Sequence, residues 1–307
     1  MEWVILAYTV FTLLLMLLMY TRLHNPVSML MCRFQAVAIM LATWGVYRLW
    51  PCRLVMVLRI ACQMGMLSIW YPDTYEFNRL LPNLDHVFAG AEQALFGFQP
   101  ALTFSQSWPH PVVSELLSLG YVSYFPMIAV VVFFCFFCRY EQLQRTTFVI
   151  MGSFFLFYVV FIFLPVAGPQ YYYLAVGADQ IAQGVFPNVG NYFEMHQEIL
   201  PTPGWEDGLF HQLVIDAHDA GERPTAAFPS SHVGITVVLL WLAWRMRSRW
   251  LFWGLTPLAV LMFFATFYIQ AHYVIDALAG IVAGTLLYWF CDVAYSFFPF
   301  SVPRGRR

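Results

Sequence analysis

Two short stretches carry side chains that can donate, accept and transfer protons: Phe228-Pro229-Ser230-Ser231-His232, and His272-Tyr273-Val274-Ile275-Asp276 further on. A proline suits the first turn of a helix, so Pro229 predicts that the N–H groups of Ser230, Ser231 and His232 leave the helix end unpaired, an anion site. Two hydroxyls and an imidazole there add the donors a phosphate wants. The plainer reading is that Ser230 or Ser231 caps the helix while His232 packs between helices. His272 and Asp276 are four residues apart, so on a helix they share one face and can touch. An Asp accepting from one imidazole nitrogen fixes the tautomer and leaves the other nitrogen free to attack or to take a proton. The plainer reading here is a His-Asp pair satisfying itself near a membrane interface. Together the two stretches form a set for phosphoryl transfer, in which one imidazole attacks phosphorus and the other protonates the departing alkoxide. Arg223 is either the cation that neutralises the transition state or a solvated loop arginine.

Other polar residues carry weaker signals. Gly168-Pro169-Gln170-Tyr171 is either a pocket wall, through Gln170 and a tyrosine hydroxyl, or a helix stop with interfacial tyrosines. His196, Glu198, His211, Asp216, His218 and Asp219 lack the spacing of a metal site and read as a solvated loop. Cys135 and Cys138 interrupt a Val/Phe run with no second pair in the chain, which favours packing over zinc or a disulfide.

The elements that must position these residues are membrane helices. The chain has 307 residues, 61% hydrophobic and only 10% charged, far more apolar than a soluble domain. A net charge of -2 leaves no basic face for nucleic acid. The expected fold is all-α, a polytopic bundle of about eight spans near 3–20, 34–50, 54–71, 112–138, 147–166, 229–244, 251–269 and 272–290. Residues 1–72 read as N-terminal helices, 73–111 as a non-cytoplasmic interfacial segment, 112–292 as a core with a long loop 167–227, and 293–307 as a basic cytoplasmic tail. The third span is expected to end at Tyr71-Pro72. The 15 cations are all arginine, and placing 11 of them inside leaves Arg22, Arg33, Arg79 and Arg223 outside. This sets both histidine stretches on the non-cytoplasmic face.

The paired motifs Pro229-Ser230-Ser231-His232 and His272-x-x-x-Asp276 resemble the membrane branch of the type 2 phosphatidic acid phosphatase superfamily, over about residues 147–290. The resemblance implies a six-helix core, His272 as a nucleophile forming a phosphohistidine, Asp276 as its orienter, His232 as general acid, and no metal or other cofactor. Ordinary phosphatases of this kind carry Ser-Arg where this chain has Ala265-Thr266, and a Lys where it has Asp216. Without those two cations the chain is more similar to the inositol phosphorylceramide synthase branch and its bacterial relatives, which share Gly-Pro-x-x-Tyr and Phe-Pro-Ser-x-His. The stretch Gln93-Ala94-Leu95-Phe96-Gly97-Phe98-Gln99-Pro100 resembles that branch too. It implies a lipid phosphotransferase of a bacterial inner membrane, with a phospholipid donor and a lipid or alcohol acceptor. The alternatives are a lipid phosphate phosphatase acting on a phosphatidic acid-like or polyprenyl phosphate, and a non-catalytic transporter or scaffold.

Overall fold

The computed structural model describes residues 1–219 and 221–297. Their regular structure is entirely helical. In chain order the α-helices are α1 Glu2–Met19, α2 Pro26–Leu49, α3 Arg53–Gly65, α4 Leu67–Asn78, α5 Asp85–Phe96, α6 Pro100–Ser107, α7 Pro111–Val122 and α8 Tyr124–Cys138. They continue as α9 Leu143–Phe163, α10 Pro169–Val176, α11 Ala178–Ala182, α12 Leu209–Asp219, α13 Ser231–Arg245, α14 Arg249–Tyr268 and α15 Val274–Phe297. Prolines at the first turn of α2, α6, α7 and α10 set these starts, where a missing N–H costs nothing.

Six helical stretches among the described residues are long and apolar enough to cross a membrane: Glu2–Arg22, Pro26–Leu49, Arg53–Asn78, Tyr140–Phe163, Arg249–Tyr268 and Val274–Phe297. A seventh arises if α7 and α8, bent by 49° at Ser123, make one span. The Ser123 hydroxyl donates to the Gly120 carbonyl, and Pro126 lacks an N–H, which is how such kinks form. α13 is a shorter apolar helix of 15 residues. At 1.5 Å per residue it covers about 22 Å, less than the ~30 Å hydrocarbon layer. An integral, all-helical membrane bundle is the architecture.

Three boundaries differ from expectation. The second span begins at Pro26, eight residues early, and so contains Arg33. That guanidinium is buried, 2.8 Å from Asp73 Oδ2 on α4, and donates to Thr12 Oγ1 on α1 and to the Met29 carbonyl. Arg33 is therefore an internal ion-pair partner and does not count among the loop arginines that set orientation. The third span passes through Pro72 and ends at Asn78. The turn after the proline is tied to its neighbours, Tyr75 Oη donating to the Phe193 carbonyl (2.7 Å) and Asn78 Nδ2 to that of Phe161 (2.8 Å). At the other end of the chain, α15 runs to Phe297, into the expected tail. The basic stretch 304–307 lies outside the described residues.

Charged and small residues fix the two ends of the bundle. At one end, Arg145 of α9 and Arg245 of α13 converge on the buried Asp292 of α15, at 2.6 and 2.7 Å. At the other lie the start of α13, the end of α14 and the start of α15, where both histidine stretches meet. Between the ends, α13 and α15 run in close contact because glycines face each other. A Cβ on Gly284 would lie 2.2 Å from the Gly234 carbonyl oxygen, and one on Gly280 would lie 2.6 Å from that of Ser230.

Candidate active site

Three segments at helix ends and in the turns between them, 165–170, 225–230 and 266–276, are woven together by backbone hydrogen bonds at the end of the bundle. Gln170 N donates to Gln270 O, Ala227 N to Val166 O, His272 N to Thr266 O, and Ser230 N to Asp276 O, all at 2.8–3.0 Å. Gly168 permits the closest approach, since its φ is +96° and a Cβ there would lie 2.6 Å from the Ala271 carbonyl. Ala226 (φ 68°) and Gln270 (φ 64°) also hold left-handed conformations, which L-residues keep only where surrounding contacts impose them.

This weave aims the two imidazoles at each other. His272 Nδ1 lies 2.8 Å from the Ala227 carbonyl oxygen, which can only accept, so Nδ1 carries the proton and Nε2 the free lone pair. His272 Nε2 is in turn 3.5 Å from His232 Nδ1, whose proton it faces. His232 stands in the first turn of α13 and is held between two rings, Tyr121 stacked at 4.7 Å and Tyr124 tilted at 4.5 Å. His272 is 4% exposed. Burial, partly offset by the Ala227 carbonyl and the charge of Glu222, pushes its pKa down to about 4, so it is neutral at pH 7.

Several expectations for individual residues are corrected by this geometry. His272 is not on the helix, which starts at Val274. Asp276 Oδ2 accepts from the Tyr273 N–H at 2.8 Å and is 3.7 Å from His272 Nδ1. The Ala227 carbonyl, not Asp276, therefore orients the imidazole, because the turn at 272–273 brings a backbone N–H between them. Pro229 precedes α13 rather than forming its first turn, and Ser230 N is already bonded to Asp276 O. The Ser230 hydroxyl caps the helix by accepting from Val233 N (3.4 Å). The N–H groups of Ser231 and His232 keep no acceptor among the described residues, so the anion site contracts to these two. Tyr273 is fully buried and its hydroxyl donates to Asp85 Oδ1 (3.1 Å), so it braces α5 instead of lining a pocket.

Gln170 joins the weave through its main chain, and Tyr171 is buried with its ring 6.1 Å from that of Phe193. Arg223 is exposed and donates to Gln197 Oε1 (3.1 Å), with no contact to either histidine. Next to it, Glu222 pairs with His218 Nε2 at 3.2 Å, and the His218 ring lies 6.0 Å from that of Tyr121. The sequence offered no signal for Tyr121 and Tyr124, which belong to an ordinary apolar run until the bend at Ser123 turns both rings onto His232. Nor did it signal Asp85 and Glu92, beyond two acids seven apart in an apolar stretch. In the structure both are buried against the site.

The fold and the site define an all-helical membrane bundle with two facing imidazoles at one end of its helices. The family model described as the PAP2 superfamily matches residues 86–290, two thirds of the chain, and the chain belongs to that superfamily. It is thus a phosphatase-type enzyme, with phosphatase or phosphotransferase activity. No curated protein and no solved structure matches the chain.

Proposed function

We propose that the protein is a lipid phosphotransferase, similar to inositol phosphorylceramide synthase, that moves a phospho-headgroup from a phospholipid to a lipid alcohol through a phosphohistidine on His272. The observation that carries the reading is the 3.5 Å pair of His272 Nε2 and His232 Nδ1, with His272 Nδ1 held by the Ala227 carbonyl. A phosphorus entering between the rings meets a lone pair on one side and a proton on the other. In the first step His272 Nε2 forms an N–P bond, the P–O bond to the donor alcohol breaks, and His232, having taken up a second proton beside the anionic phosphodiester, gives that proton to the alkoxide. In the second step the acceptor hydroxyl loses its proton to His232 as its oxygen attacks phosphorus and the N–P bond breaks. Asp276 acts by holding the Tyr273 N–H, and so the turn that carries His272. The N–H groups of Ser231 and His232, with Arg223 arriving from the loop, stabilise the phosphoryl oxygens.

Two features favour a phosphodiester over a monoester. Thr266 stands where ordinary phosphatases carry an arginine, and it is fully buried with its hydroxyl donating to the Phe263 carbonyl. Asp216 stands where they carry a lysine, on the exposed face of α12, accepting from Gln212. So weak a clamp suits one negative charge better than two. The arginines of the 139–145 and 245–249 turns support a site on the non-cytoplasmic face, with the inner membrane of a bacterium as the expected location.

The test is to give the purified protein a labelled phospholipid and a lipid alcohol and identify products by mass spectrometry. A new phospholipid that the His272→Ala variant cannot make is expected. Phosphate release without any new phospholipid would replace the transferase reading by the lipid phosphate phosphatase one, and unchanged turnover in His272→Ala would sink the mechanism.

A further inference from the structure

The amphipathic helix α5 sits outside the histidine motifs, yet it sends two buried carboxylates into the segments that build the site. Asp85 and Glu92 are seven residues apart, two turns, and so lie on one face with Ala89 between them; all three are 0% exposed. Asp85 accepts from Ala167 N at 2.7 Å, Gly168 N at 2.8 Å, Asn83 Nδ2 at 2.6 Å and Tyr273 Oη at 3.1 Å. Glu92 Oε1 accepts from Val274 N at 2.6 Å and Ile275 N at 3.4 Å. These are the first two N–H groups of α15, which no intrahelical carbonyl can serve. The contacts flank His272 directly, with Tyr273 on Asp85 and Val274 on Glu92.

We propose that Glu92, with Asp85 as its companion, is a positioning residue for the reaction, holding the 272–275 turn so that His272 Nδ1 stays on the Ala227 carbonyl and Nε2 stays on the line to His232. The inference rests on the reading of His272 as nucleophile. Glu92 touches neither histidine and is not itself catalytic. Burial holds its pKa at about 8 against the pull of the Val274 N–H. Its second oxygen has no partner among the described residues, and neither does Asp276 Oδ1. An amide at position 92 therefore keeps the acceptor that Val274 needs and offers its NH2 where Oε2 now stands unbonded.

The experiment compares Glu92→Ala, Glu92→Asp and Glu92→Gln in detergent-purified full-length protein. It reads kcat and KM together with the rate at which diethyl pyrocarbonate modifies His272, followed by peptide mass spectrometry. Glu92→Ala should lower kcat on the order of 10²-fold, as a misplacement of about 1 Å does, with KM within about threefold. Its His272 should be modified several-fold faster than in the wild type, because the turn no longer holds the imidazole. Glu92→Gln should stay within about threefold of wild type in both readings. If Glu92→Ala does not survive purification, Glu92→Asp, one methylene too short, should show the same pattern on the order of tenfold in kcat. Wild-type kcat and modification rate in the shortened variants, or a loss of folded protein with kcat per folded molecule kept, would overturn the proposal. The modification rate is independent of turnover. If His272→Ala stays active, the nucleophile reading fails while the positional hold of Glu92 is still decided by that rate.

Discussion

The close packing of α13 on α15 makes Gly280→Ala the most searching test of how the site is built. The added methyl would lie 2.6 Å from the Ser230 carbonyl oxygen, 3.2 Å from Val233 Cβ and 3.4 Å from the Gly234 nitrogen. Ordinary carbon–oxygen contacts are about 3.3–3.6 Å, so the Ser230 backbone and α15 must separate by roughly 0.7–1 Å. Ser230 cannot give way locally, because its N–H is bonded to Asp276 O and its carbonyl accepts from Gly234 N. The displacement therefore passes to His232, two residues on, and opens the 3.5 Å gap to His272. Overpacking costs about 1–3 kcal/mol and alanine in place of a helical glycine regains about 1, so the net stability loss is only about 0–2 kcal/mol. The loss in kcat, by contrast, should be on the order of 10²-fold. Gly254 on α14 has nothing within 4 Å of its added Cβ and serves as control. Gly254→Ala should leave kcat unchanged and raise the melting temperature slightly. Steady-state kinetics and thermal unfolding of both variants in detergent decide the matter, and a Gly280→Ala enzyme with kcat within threefold of wild type would refute the argument.

Two further expectations concern charge. Burial sets the His272 pKa at about 4, below the usual histidine value of 6.5, so the unfolded chain takes up that proton first as pH falls. The contribution of His272 to stability is then complete above pH 6.5 and drains away between 6.5 and about 4, by on the order of 3 kcal/mol. The wild type should lose melting temperature more steeply than His272→Ala over that window, and the acid limb of kcat/KM that reports the nucleophile should fall near pH 4 instead of 6.5; equal slopes would count against the buried neutral imidazole. Separately, Arg33→Met strands the buried Asp73 carboxylate and should cost about 3–5 kcal/mol, while Arg33→Met with Asp73→Leu should recover at least half of that. Thermal unfolding reads both, and a double variant no more stable than the single one would deny the pair its internal role.

The sequence alone determined the class of fold, because an apolar composition and runs of membrane length leave a chain little choice but helices that satisfy their own backbone groups. It also determined which two histidines to pair, since Pro-Ser-Ser-His and His-x-x-x-Asp are local patterns. It went wrong wherever a residue's partner is distant in the chain. Arg33 read as a loop arginine before the second span because Asp73, which neutralises it, is forty residues away in the sequence and adjacent only in the bundle. Asp276 read as the orienter of His272 because four-residue spacing presumes a helix, while the weave of 225–230 onto 266–276 unwinds that turn and brings in the Ala227 carbonyl. Tyr121, Tyr124, Asp85 and Glu92 acquired their places at the site only through the bend at Ser123 and the docking of α5. Types and spacing thus named the two imidazoles that meet, and tertiary structure decided which atom of each faces the other, because direction is set by contacts that no local pattern records.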